Sequence, residues 1–514
     1  MNRGASGLSI RESRCVDRPE LADGAPRHGR LFAIALMCSL VMGCAQQNVD
    51  SLVTLVIANV SVIDVESGAI YPNRTIVIAN EHVLAIEPAA NVKNDAGTIR
   101  VDGTGKYAIP GLWDMHVHLV NDEPPVDWDL DERADRPLTY APAWVAFGVT
   151  GLREMSGGEW SLKMRDRVES GEIDGPHLII GSPILDGPYP IFPGNGVRAI
   201  ANPDQARSVV EDLHEAGYDF LKPYNFLSPE SYRAILETAQ RLGMEVAGEL
   251  PLSVSAWDAA ELGQHSIEHM TGIEIACSSR EAELRQDYAS GVAALAKHPE
   301  LDNQVTLWNR SEWEPVASFD AERCRRLYRH LVAHDVWVTP TLVTQRRISY
   351  PEIPEVATNA YLDYITRYDA DVQNIIRQFD PERRLRPIYD HRFGAIEDVQ
   401  AAGVGILAGS DQQGGFWLHD ELQIFVDAGM TPLEALRTAT INPAKYLERS
   451  DELGTIAPGK FADIVLLNGN PLDDIGNTRE IDAVILKGRL YDRRELDAMR
   501  VQLEADARAW EQED

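Results

Sequence analysis

The sequence predicts an α/β protein: a (β/α)8 barrel of the TIM type, with a small β-sandwich domain formed from both ends of the chain. Two observations carry that expectation. Between Pro110 and about Leu453, eight short apolar runs alternate with helical patterns; this is the signature of repeated βα units, and eight strands close a barrel. On both sides of that stretch the chain becomes rich in Val, Ile and Thr broken by Asn, Asp and Gly, which is the texture of short sheet strands. At 514 residues the length suits one large barrel plus an accessory domain.

The elements follow in chain order. Arg27, His28 and Arg30 precede the apolar run Leu31 to Met42, LFAIALMCSLVM. That run is short for a membrane span and has the shape of a signal-peptide core. The segment LVMGC resembles a bacterial lipobox. The resemblance implies a lipoprotein signal peptide over 1–43, a lipid on Cys44, and membrane contact through that anchor alone. Ala45 is not acidic, so the implied destination is the outer membrane facing the periplasm, or the periplasm itself. Cys277 and Cys324 could pair in such a compartment, but sequence does not give their geometry.

The first part of the sandwich is expected over 44–109, from LVTLVIANVSVIDV, TIVIANEHVLAIEP and TIRVDGTGKYAIPG. The second part is expected over 454–495, from LGTIAPGKFADIVLLNG and IDAVILKGRLYD. Residues 496–514 read as an amphipathic or frayed helix. The barrel is expected over 110–453, with strands in GLWDMHVH, GVTGLRE, HLIIGSP, DFLKPYN, MEVAGEL, SIEHM, WVTPTLVT and GILAGSD. DQARSVVEDLHEAG and SPESYRAILETAQRLG are helical and end on a capping glycine. The stretch of about 277–399 exceeds one βα connection, so helical insertions on the sixth and seventh loops are expected to roof the site.

Charge narrows the partners. The 48 basic residues face 80 acidic ones, a net charge of −32. Nucleic acid and anionic membrane surfaces require a cationic face and are excluded as partners. A homo-oligomer remains open.

The chemistry lies at the strand ends, where barrels of this type hold their active sites. His116 and His118 are two apart on a strand and face one side, and imidazole is a favoured ligand for zinc and related divalent metals. Lys222 ends the fourth run after Phe220 and Leu221, and is the only lysine between Lys163 and Lys297. A buried salt bridge is the alternative reading for it. His269 ends the sixth run. Asp411 ends the eighth, where a carboxylate after a buried strand needs a partner or a metal. Singly, either is explained as a satisfied core group; together, at matching strand ends, they are not.

Through IPGLWDMHVH, LKPYN, PLSVSAWDAAELGQHSIEHM, AGSD, AGMTPLEALRTATINPAKYL and LGTIAPGKFADIVLLNGNPL, the chain resembles the amidohydrolase superfamily, in its imidazolonepropionase-like and prolidase-like branch. The resemblance implies a site of one or two divalent metals, usually zinc. His116 and His118 would hold the first, carboxylated Lys222 would bridge, and His269 would hold the second. Asp411 would ligate and shuttle protons. It further implies hydrolysis of a C–N amide bond in a small-molecule amide substrate, such as a dipeptide or N-acyl amino acid. A cyclic-amide hydrolase or deaminase is the alternative, and a catalytically impaired, lipid-anchored binding protein is an alternative of another class.

One position departs from the pattern. The fifth run ends in AGELP where the family pattern has histidine, which puts Glu249 among the metal residues. Glu249 would ligate with a changed preference that admits manganese, or point away and leave one metal, or mark lost activity. Tyr224 and His419 are further candidates for holding a substrate carbonyl or carboxylate. A helix-capping role is the alternative for His419.

Overall fold

The computed structural model describes residues 53–88, 97–119, 144–191, 196–352 and 384–510. The expected signal peptide and Cys44 lie outside the described residues. Five strands open the described chain: β1 (Val53–Ile63), β2 (Ile70–Ala79), β3 (His82–Pro88), β4 (Ile99–Asp102) and β5 (Tyr107–Pro110). β1 alternates between a buried and a more open face, and Leu55, Ile57, Val60, Ile76, Ile78 and Val83 form a separate apolar cluster. Burial of those branched side chains on one face is what selects the sheet register.

Seven strands then build the barrel wall. They are β6 (Leu112–Val117), β7 (Val149–Glu154), β8 (His177–Asp186), β10 (Phe220–Pro223), β11 (Glu245–Gly248), β12 (Ser266–Glu268) and β13 (Trp337–Thr339); β9 (Val197–Ala199) pairs beside β8. All the barrel pairings are parallel. The eighth predicted run makes bridges rather than a regular strand. Ile406 bridges Val338 and Gln412 bridges Val117. Met115 N donates to Ala408 O at 2.8 Å and Asp411 N to His116 O at 2.7 Å, so the run completes the wall between the seventh and first strands. Gly409 makes the close approach work: a Cβ there would stand 2.6 Å from the Cβ of His116.

The helices that separate the strands carry their stop signals in sequence. Pro203–Ala216 is capped by Asn202, whose side chain accepts from Gln205 N, and ends on Gly217 at φ 88°. Pro229–Leu242 is capped by Ser228 and ends on Gly243 at φ 73°. Both put proline in the first turn, where its missing N–H costs nothing.

Between β12 and β13 lie helices Ile273–Cys277, Glu281–Ala294, Leu301–Trp313 and Ala321–Ala333. A disulfide joins Cys277 to Cys324, with Cα atoms 4.5 Å apart. Leu342–Ser349 and Leu385–Ala402 follow β13. The chain then returns to the first sheet through β14 (Ile464–Leu467), β15 (Ile481–Leu486) and β16 (Arg489–Tyr491), with β14 antiparallel to β5. A final helix covers Arg493–Trp510.

Candidate metal centre

Strand direction brings the candidate side chains to one end of the barrel. His116 is completely buried, while the side chains of His118, His269 and Asp411 keep 22%, 19% and 18% exposure and so mark the open side. The Nε2 atoms of His116 and His118 lie 3.5 and 3.2 Å from Asp411 Oδ1. His269 Nδ1 lies 3.9 Å from Asp411 Oδ2. One ligand atom from each of His116, His269 and Asp411 falls within 4.8 Å of the others. His269 and Asp411 adopt left-handed backbone, at φ 58° and 53°. That region is uncommon for non-glycine residues, and His and Asp are among those that enter it most readily.

The outer face of each imidazole is tied down. His116 Nδ1 stands 2.7 Å from Glu268 Oε2, His118 Nδ1 2.9 Å from Ser156 Oγ, and His269 Nδ1 2.6 Å from Thr341 Oγ1. A carboxylate accepts only, so His116 carries its proton on Nδ1. Its Nε2 is then a bare, buried lone pair, with no hydrogen-bond partner among the described residues. Imidazole nitrogens held in this way, facing a carboxylate, suit a divalent metal, and the donor set fits.

A second layer supports these groups. Glu268 also takes a 2.9 Å bond from Arg153, whose guanidinium donates to Met115 O at 2.6 Å and Thr339 Oγ1 at 3.1 Å. The same guanidinium lies 5.0 Å from the Tyr446 ring centre. Glu154 accepts from Leu119 N and Ser156 N. Asp114 accepts from Ser410 N at 2.9 Å, and burial pushes its carboxyl up to about 7. Burial opposes charge on His118, yet hydrogen bonding to Asp411 and Glu154 raises it to about 9. These two carboxylates therefore make the site strongly attractive to a cation.

The remaining candidates divide. Lys222 is 1% exposed, and its Nζ stands 5.9 Å from the Tyr224 ring centre. Glu249 is buried nearby: Asn225 Nδ2 donates to its Oε2 at 2.9 Å, the Tyr224 phenol also bonds it, and its Oε1 is 3.5 Å from His269 Nε2. Burial lifts the Glu249 carboxyl to about 8, against the pull of Lys222. The structure thus brings Tyr224 and Glu249 to the His269 side of the cluster, and Lys222 close enough to act on His116, His269 and Asp411 alike.

It does not bring His419 there. His419 sits on Phe416–Asp427, fully buried, with Nδ1 2.9 Å from Thr478 Oγ1 and Nε2 2.9 Å from Phe147 O. Both ring nitrogens are engaged in packing this helix against neighbouring segments, and neither is left for a substrate.

Arg153, Glu268 and Thr341 are the supports that strand-end reasoning missed. Arg153 had a signal: an arginine in an apolar strand needs a buried acceptor. Thr341 had none.

Residues 107–491 match the model of the Amidohydrolase family. An ochratoxinase of Aspergillus niger is 23% identical over 423 residues, covering 73% of each chain. An adenine deaminase of Desulforamulus reducens is 20% identical over 429 residues, covering 80% of this chain and 54% of that one. Among solved structures, a Xaa-Pro dipeptidase with bound methionine superposes with a TM-score of 0.61 at 20% identity, over 85% of this chain and 99% of that one. The chain belongs to the amidohydrolase family, whose members are hydrolases acting on carbon–nitrogen bonds.

Proposed function

We propose that this chain hydrolyses the amide bond of a small substrate, of the dipeptide or N-acyl amino acid class, at a centre of one or two divalent metals. The observation that carries the reading is the buried Nε2 of His116, without a hydrogen-bond partner among the described residues and aimed at Asp411, while Glu268 fixes the opposite face of the ring. His116, His118 and Asp411 would hold one ion. His269 and Glu249 would hold a second, with Lys222, carboxylated, between the two. A bound divalent cation supplies Lewis acidity to water and to the scissile carbonyl.

The residues do the rest. Asp411 takes a proton as the water oxygen bonds to the carbonyl carbon, then delivers it to the nitrogen as the C–N bond breaks. The acid and the amine leave separately. Tyr224, beside Glu249, is placed to meet a substrate polar group.

Zinc is the first expectation for the ion; the carboxylate of Glu249 suits manganese as well. The similarity to adenine deaminases keeps deamination or cyclic-amide hydrolysis as the second reading. The binding-protein alternative rested on Glu249 alone and finds no support in a site with its supports intact. The Cys277–Cys324 disulfide agrees with export to an oxidising compartment.

The test is turnover of a panel of dipeptides, N-acyl amino acids, cyclic amides and adenine with zinc or manganese added back. Turnover of linear amides is expected. Turnover confined to cyclic amides or adenine would transfer the assignment to the second reading.

A further inference from the structure

The seventh strand carries no candidate ligand, yet the residues just beyond it touch two. Thr341 is fully buried, and its hydroxyl oxygen lies 2.6 Å from His269 Nδ1 and 2.8 Å from Pro340 O. A carbonyl only accepts, so the hydroxyl proton goes to Pro340 and the oxygen accepts from His269 Nδ1–H. That choice leaves the Nε2 of His269 as a lone pair, 3.5 Å from Glu249 Oε1. With its proton on Nδ1, His269 presents Nε2 as the ligating atom.

The next turn holds the backbone. Thr344 Oγ1 lies 2.8 Å from Ser410 O and 3.1 Å from Asp411 O, within reach of both as a donor. Gln345 Nε2 donates to His269 O at 3.3 Å and to Pro340 O at 2.6 Å. Gln345 is in turn gripped by Arg392 at 3.1 Å, whose guanidinium pairs with Glu274 at 2.6 Å and Glu312 at 2.7 Å. Thr341 is itself left-handed, at φ 51°. A β-branched residue is costly in that conformation, and glycine would be the relaxed choice. Its hydroxyl is the feature that glycine cannot replace.

We infer that Thr341 is a positioning residue that fixes the tautomer and orientation of His269 toward the second metal position. This rests on the metal-centre reading above. Three variants test it in the full chain after chelator treatment: Thr341→Val, Thr341→Gly and Thr341→Ser. Zinc affinity is measured by competition with a chromophoric chelator, and ligand geometry by the visible spectrum of the cobalt(II)-loaded protein. Loss of an outer hydrogen bond of this kind costs about 10- to 100-fold in metal affinity. That loss is expected for Val and Gly, with an altered cobalt spectrum, while Ser retains both. Glycine suits the backbone, so Thr341→Gly keeps the test open if Thr341→Val fails to fold. Wild-type affinity in the glycine variant, or an equal loss in the serine variant, overturns the proposal. A wild-type chain that takes up no zinc overturns the metal-centre reading along with it.

Discussion

His116 Nδ1 and Glu268 Oε2 meet at 2.7 Å with neither side chain exposed, and the same carboxylate takes a 2.9 Å bond from the buried Arg153. One acid from the sixth strand therefore orients an imidazole on the first and neutralises a cation on the second. Glu268→Gln keeps the shape and removes the charge. It is expected to lower zinc affinity by about 10- to 100-fold. It should also destabilise the metal-free fold by roughly 3–5 kcal/mol, since Arg153 is left as an uncompensated buried charge. Chelator competition and denaturant unfolding measure the two effects separately. Unchanged affinity would show that Glu268 serves Arg153 alone.

On the proposed metal centre, Glu249 is expected to set metal choice. Glu249→His replaces a carboxylate, held by Asn225 at 2.9 Å, with the imidazole that the family pattern has there. Metal content after dialysis against equal zinc and manganese should shift toward zinc, because nitrogen donors favour zinc more than manganese. An unchanged ratio would place Glu249 outside the coordination sphere.

His419 makes stability depend on pH. Burial, then Arg479, lower its folded pKa to about 3 from the usual 6.5. Below pH 6.5 the unfolded chain binds a proton that the native chain refuses. Stability is therefore intact above 6.5 and is lost as pH falls toward 3, at up to about 1.4 kcal/mol per pH unit from this group. His419→Gln should be less stable at pH 7.5 and show a shallower loss between pH 6.5 and 4.5. Parallel curves for the two chains would contradict the assignment.

The Cys277–Cys324 bond closes a loop of sequence separation 47. Chain-entropy arguments give about 4 kcal/mol for a loop of this length, and measured values commonly run at about 2–4. The double variant Cys277→Ala, Cys324→Ala is expected to unfold at lower denaturant by that margin. A smaller loss would mean that the buried sulfurs act mainly as apolar filling.

The fold was legible because its signals are local. Eight apolar runs gave eight wall segments, and Gly217 and Gly243 closed the helices where the pattern ended. Less legible were features that arise only between segments. HLIIGSP continues as strand to Asp186, since the following ILD pairs onward with β9. GILAGSD forms bridges instead of a strand, with Gly405 and Gly409 pressed against Trp337 and His116. The same division runs through the site. His116, His118, Lys222, Glu249, His269 and Asp411 stand at strand ends and could be read from position. Glu268, Arg153 and Thr341 act through contacts made across the barrel, which no spacing records. His419 follows Asp411 closely in sequence, but its helix turns it toward Phe147 and Thr478.

If these strand ends form a metal centre, elemental analysis will find the metal. Protein purified without chelator should carry about one or two divalent ions per chain, and a combined His116→Ala, Asp411→Asn variant should lose them while remaining folded. A folded wild-type chain that binds neither zinc nor manganese, before or after add-back, would rule out a metal centre at these residues.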